Sequence, residues 1–186
     1  MDQQGLVERA RRGDRQAFAE LVCASGARLD ATARLILRDP DLAQDAVQDT
    51  LMRAWRSLPG LRDPATFDHW LHSLVAHACI DLTRKRRRRV VELELSPLDV
   101  AAALDETAQV ADRDLLDRAL ARLEPEQRAI LVLHFYLDLP LPRVAQLLGI
   151  PGGTAKSRLH RSLGVLRSSM SIDDVTSADA LGGPIT

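Results

Sequence analysis

The stretch Leu139–Arg167, LPLPRVAQLLGIPGGTAKSRLHRSLGVLR, decides how this chain folds. It predicts two helices across a short turn, the second basic and without an acidic residue. The first helix holds Val144, Ala145, Leu147 and Leu148, and small Ala145 lets the second approach closely. Gly149 sits where the turn needs a residue tolerant of positive φ, and Thr154 is the expected N-cap of the second helix. At about 100° per residue, Ala155, Leu159, Ser162, Leu163 and Leu166 fall on one side of that helix. Ser157, His160, Arg161, Gly164 and Ser168 point the opposite way, with Lys156, Arg158 and Arg167 along the flanks. An apolar back with a small, polar and basic front suits a helix that enters a major groove. Taken alone, the block also fits a surface amphipathic helix of an ordinary bundle.

Upstream, a second domain is expected to begin near Arg113, with a short helix to Leu123 and another from Pro125 carrying Ile130, Leu133 and Leu137. Residues 90–112 lose the helical period and gather acids (Glu92, Glu94, Asp99, Asp105, Glu106, Asp112), which reads as a linker. Residues 171–186 turn to Ser, Asp, Gly and Pro and are expected to form a disordered tail. Toward the N-terminus three long helical stripes make a first domain over 1–89. Asp14 caps a helix with Phe18, Leu21, Val22, Ser25, Leu29, Thr32, Ala33 and Ile36 on one face. Asp39-Pro40 opens a second helix that turns Leu42, Ala43, Val47, Leu51, Ala54 and Trp55 inward. A third carries Phe67, Trp70, Leu71, Leu74, Val75, Ala78 and Leu82, and ends in cations from Arg84 to Arg89.

The expected class is therefore all-α: two small helical domains, 1–89 and 113–170, joined by an acidic linker. In 186 residues the hydrophobic fraction of 46% supports a core, and an aromatic fraction of only 3% requires that core to be Leu, Val, Ala and Ile. Net charge is −1, so the chain is no indiscriminate polycation; the charge is segregated instead. Cys23 and Cys79 lie within apolar helical patterns without metal-ligand spacing and read as reduced core thiols. With no leader and no bilayer-length apolar run, a cytoplasmic protein without membrane insertion is expected. His69, His72 and His77, with Asp68 and Asp81, invite a metal reading. No second helix supplies a matching set, and no phosphate loop or nucleophile motif appears, so neither catalysis nor a cofactor is expected.

Two charged features remain. Arg84-Lys85-Arg86-Arg87-Arg88-Arg89 exceeds what a helix C-terminus needs. Phosphate binding there would be salt-dependent, with a log–log slope of about −0.9 per contact. Asp41, Asp45 and Asp49 repeat every fourth residue beside Gln44 and Gln48. That acidic strip has no electrostatic reason to face DNA and suits a basic protein partner or a solvated helix face.

These pieces in this order resemble the extracytoplasmic-function (group 4) sigma factors of bacterial RNA polymerase, over about residues 5–170. The resemblance rests on Asp14-Arg15-Gln16-Ala17-Phe18, on Leu42 to Thr50 through Arg53-Ala54-Trp55, and on Phe67 with Trp70-Leu71. It continues through Asp81-Leu82 before the basic run, Leu123 with Pro125-Glu126-Gln127-Arg128, and Gly153 to Leu159. It implies a sigma-2 domain whose Asp45, Gln48 and Asp49 dock on the clamp helices of the largest subunit of core RNA polymerase. It implies −10 contacts from Leu61, Arg62, Asp63, His69, His72, Ser73, His77, Arg84, Lys85 and Arg86, with the loop Leu61–Thr66 receiving an extruded base. A sigma-4 domain would sit at the polymerase flap region and place Thr154, Lys156, Ser157, Arg158, His160 and Arg161 at the −35 element. An anti-sigma partner is also usual in the family. Departures are Ala76-His77 where Arg-Asn is common, Leu51 at an aromatic position, and Pro140 and Arg143 where Ser and Glu usually stand. The competing reading is a conventional helix-turn-helix regulator that binds operator DNA without polymerase.

Overall fold

The computed structural model describes the backbone of residues 2–92 and 111–180, with side chains for 2–88 and 116–169. All regular structure among them is helical: α1 (Gln3–Arg11), α2 (Arg15–Leu37), α3 (Pro40–Ser57), α4 (Phe67–Glu92), α5 (Ala111–Ala121), α6 (Pro125–Leu131), α7 (Leu141–Leu147) and α8 (Gly152–Ala180). Single 3₁₀ turns at Leu58–Gly60 and Pro64–Thr66 separate α3 from α4, and a π-helical turn, Val132–Tyr136, extends α6.

Local chemistry sets most boundaries. The Asp14 carboxylate accepts from the backbone N–H of Gln16 and Ala17, and a salt bridge from Arg9 braces it at 2.7 Å. Those backbone bonds and Arg9 lower the Asp14 pKa. Asp39 repeats the device for α3, accepting from the N–H of Asp41 and Leu42, with Pro40 in the first turn where its missing donor costs nothing. Gly149 adopts φ +63° between α7 and α8, as the turn demands.

Several boundaries correct the sequence reading. α1 lies ahead of the first expected helix. The basic run does not terminate α4, which continues to Glu92, and α5 opens at Ala111, so both ends of the expected linker are helical. Residues 93–110, the body of that linker, lie outside the described residues. α8 starts at Gly152, which puts Thr154 inside its first turn rather than at the N-cap. The same helix runs to Ala180, into the stretch expected to lack order; 181–186 lie outside the described residues.

Helices α1–α4 pack around Leu21, Leu29, Ile36, Phe67, Leu71 and Val75, and α5–α8 around Ile130, Leu133, Val144 and Ala155, all fully or nearly fully buried. Cys79 joins the first set, but Cys23 is exposed on α2, contrary to expectation. Burial pushes the Cys79 thiol up to about 12, so it is inert at neutral pH. The two sets are not separate cores: α6 packs on α2 and α4, and one continuous cluster spans both halves.

Arg128 crosses that junction. It is 7% exposed, and its guanidinium donates to the carbonyls of Leu120, Leu123 and, across the junction, Ile36. Those carbonyls close the ends of α5 and α2, whose negative dipole ends favour a cation. Burial lowers the Arg128 pKa to about 10, and neighbouring Arg38 adds to the effect, yet the group stays charged at neutral pH.

His72 provides a pH test. It is buried, Nδ1 lies 2.7 Å from the Asp68 carbonyl, and Nε2 is buried without a hydrogen-bond partner. Burial lowers its pKa below the ordinary 6.5, opposed by the Asp68 carbonyl and assisted by Arg28. The unfolded chain therefore binds a proton that the folded chain resists. Stability is full above about pH 6.5 and falls as pH drops from there through the folded pKa. Denaturant unfolding at pH 7.5 and 5.5 checks this: the wild type should lose stability at the lower pH, and His72→Gln should lose less.

Candidate nucleic-acid interface

The outer face of α8 assembles as its periodicity requires. Ala155 and Ser162 are fully buried, with Leu159, Leu163 and Leu166 half-buried beside them. Ser162 Oγ donates to the Arg158 carbonyl at 2.8 Å, which satisfies a hydroxyl on the packed side. Opposite, Thr154, Lys156, Ser157, His160 and Arg161 are exposed and Arg158 is half-buried. Gly153, Lys156, Ser157, His160 and Arg161 line an open depression of about 450 Å³. Small Gly153 and Ser157 between long cations leave room for a base edge, with donors on both sides. Ser157 Oγ donates to the Thr154 carbonyl at 3.1 Å and can still accept. Val144 and Ala145 of α7 are buried, which holds α8 at a fixed angle; Arg143, half-buried, donates to Gln146.

The second expected surface is brought together only in part. Between α3 and α4, Arg62 is exposed, while Asp63 is engaged, its carboxylate accepting from the Ala65 N–H at 3.0 Å. On α4, His69 is exposed and His77 half-buried. Three expected DNA contacts face inward instead. Leu61 is 8% exposed and belongs to the core cluster. His72 is 4% exposed on the packed side of α4, and Ser73 is 7% exposed with its hydroxyl donating to the Trp70 carbonyl at 2.6 Å. At about 100° per residue His72 flanks Val75, but Ser73 falls nearly opposite Leu71, beside buried Ala76 and Ile80, so α4 is packed on more than one face. Ala76, at a departure from the family pattern, is also buried.

On α3, Asp41, Gln44, Asp45 and Gln48 are exposed, and Asp49 is not equivalent to them. Asp49 pairs with Arg53 at 2.7 Å, and Arg53 also reaches Asp81 on α4 at 3.1 Å. Burial disfavours the Arg53 charge, but its hydrogen bonds to Asp81 and Asp49 prevail and raise its pKa. Asp49 thus ties α3 to α4 while keeping one edge outward.

The basic run is the largest surprise. Lys85 and Arg88 are exposed, but Arg86 pairs with Asp39 at 3.2 Å, Arg84 with Glu126 at 3.5 Å, and Arg87 with Glu124. Arg38 pairs with Asp117 at 3.3 Å. A run of like charges in sequence carries no sign of its partners, which lie in elements far along the chain. Arg128 left one trace in the sequence, a cation among Ala129, Ile130 and Leu131.

Among the described residues no three His, Cys, Asp or Glu side chains gather as metal ligands, and no helix is long and apolar enough to cross a membrane.

Comparison with known proteins places both halves. Residues 21–89 match the family model described as Sigma-70 region 2, and residues 113–165 match Sigma-70, region 4. The chain is 38% identical over 168 residues to the ECF RNA polymerase sigma factor SigM of Mycobacterium tuberculosis, covering 86% of this chain and 84% of that one. It is 33% identical over 163 residues to the RNA polymerase sigma-E factor of Streptomyces avermitilis, covering 88% and 90%. Among solved structures, the sigma factor RpoE of Bartonella quintana, in complex with the anti-sigma factor NepR, superposes with a TM-score of 0.69 at 26% identity, covering 84% of this chain and 98% of that one.

Proposed function

This chain belongs to the extracytoplasmic-function branch of the sigma-70 family, and from that membership we propose how its residues divide promoter recognition between them. It is a transcription initiation factor that acts with RNA polymerase rather than a regulator acting alone. We assign residues 1–89 to polymerase docking and the −10 element, and 113–170 to the −35 element. The protein acts in the cytoplasm as a specificity subunit with no catalysis of its own. Asp45 and Gln48, with the outer edge of Asp49, meet the clamp helices of the largest subunit. Arg62, His69, His77 and Lys85 meet the −10 strand. Lys156, Ser157, His160 and Arg161 enter the −35 groove, with Arg158 and Thr154 at its edge. The flap region and an anti-sigma factor complete the set of partners.

The observation that carries this reading is the outer face of α8, where cations flank small polar side chains around an open depression. The two DNA-reading segments gain strength when polymerase holds both at once, since the second contact becomes intramolecular.

The test is transcription by sigma-free core polymerase, with and without this protein, on fragments of its own genome. New RNA 5′ ends that share two upstream sequence blocks are expected. Absence of new starts, with tight operator binding by the protein alone, would overturn the proposal. In the same assay Arg161→Ala should lower −35-dependent initiation, with about 1–3 kcal/mol of base discrimination lost if the guanidinium reads a base in bidentate fashion. Equal loss on every −35 sequence would show a phosphate contact instead.

A further inference from the structure

We propose that the C-terminal end of α1 is a further single-strand DNA site, where Arg11 and Arg12 hold the backbone of the melted −10 strand as it leaves the loop between α3 and α4. Glu8, Arg11, Arg12 and Pro59 line an open depression of about 300 Å³. α1 lies along that loop: it packs on both 3₁₀ turns that bracket residues 61–63. Near its start Gln3 donates to the Asp68 carboxylate, next to His69, at 2.8 Å. The depression therefore adjoins the segment that carries Arg62. Among the described residues neither Arg11 nor Arg12 forms an ion pair. The next acid along the chain, Asp14, is taken up by Arg9 and by the N-terminus of α2. Arg11 Nε is buried with nothing to donate to. The dipole of α1 favours cations at its C-terminus, but it leaves that donor unmet. A buried donor without an acceptor is costly, and a phosphate in the depression supplies one at the expense of a side-chain rotamer change. Two cations against the single carboxylate of Glu8 leave the depression net positive, and exposed Pro59 offers an apolar surface to a sugar or base. The site rests on the −10 role assigned above to Arg62 and His69, and extends it to an element that role did not include.

The test uses holoenzyme, assembled from core polymerase and the full chain, and two forked promoter fragments. In one the −10 strand stops at the downstream edge of the −10 block; in the other it runs on through the melted segment. Arg11→Gln/Arg12→Gln should weaken binding of the longer fragment about tenfold, as two phosphate contacts are lost, and leave the shorter one unchanged. The log–log salt slope on the longer fragment should become shallower by about 1.4, two contacts at about 0.7 each for a single strand. Arg11→Lys/Arg12→Lys keeps both charges and should restore most of the affinity, since a phosphate also accepts from a point charge. Because Arg11 is half-buried, Arg12→Gln alone serves as a second variant, with about a threefold loss and an unchanged unfolding midpoint. Equal loss on both fragments, or no loss on the longer one, overturns the site and leaves the −10 assignment standing. Failure of the parent holoenzyme to prefer the shorter fragment over one with a scrambled −10 block overturns that assignment, and the site with it.

Discussion

Replacing Arg128 with methionine is expected to lower the unfolding free energy by about 3 kcal/mol, the range for losing charge-assisted hydrogen bonds at a buried site. Methionine keeps much of the volume, so the loss isolates the guanidinium from the packing. The carbonyls of Ile36, Leu120 and Leu123 would lose the guanidinium inside the junction, and that of Leu120 would keep the Leu123 N–H. A buried cation is costly in itself, which is why the carbonyls at two helix ends must be aimed at it. Denaturant midpoints of the full chain read the effect. A change under about 0.5 kcal/mol, the ordinary surface range, would mean that water replaces the guanidinium at no cost. Coupling between the halves should also weaken, because Arg128 donates from α6 to the Ile36 carbonyl of α2, while the shared apolar cluster and the pairs Arg38–Asp117, Arg84–Glu126 and Arg87–Glu124 remain.

The second large effect is expected on polymerase. Asp45→Arg with Gln48→Arg puts two cations on the exposed strip of α3 and should weaken binding to core polymerase on the order of 100-fold, since like charges across an interface cost several kcal/mol. These two positions test docking better than Asp49, whose pair with Arg53 and, through it, Asp81 holds α3 against α4. Substitution at Asp49 would mix a docking loss with a structural one. Helicity and unfolding midpoint should be unchanged in the Asp45/Gln48 variant, because both side chains are exposed. Retained affinity would remove the strip from the docking surface.

Much of this was legible in the residues alone. The Asp14 and Asp39 caps, the Gly149 turn and the two faces of α8 follow from rules that act within a few residues. Capping chemistry, positive φ and the helical period need no knowledge of the rest of the fold. The inward stripes of α2 and α4 follow for the same reason, and with them the all-helical class and the family resemblance. Thr154 went astray by one turn because Gly152-Gly153 carries no helix-start signal, yet Pro151 opens the helix from outside it.

What the tertiary structure alone decided concerns side chains whose neighbours come from distant parts of the chain. Leu61, His72 and Ser73 are DNA contacts by the family resemblance, and packing buried them. Cys23 reads as core from its spacing, yet α2 is covered on too few sides to bury it. The basic run reads as one free cationic surface, but Asp39, Glu124 and Glu126 reach it from elsewhere. Arg128 joins two halves that the sequence presents as separate domains. Local periodicity determines which face of a helix is apolar; only the packed arrangement determines which charges meet, because a Coulomb partner is chosen by distance in space and not by distance along the chain.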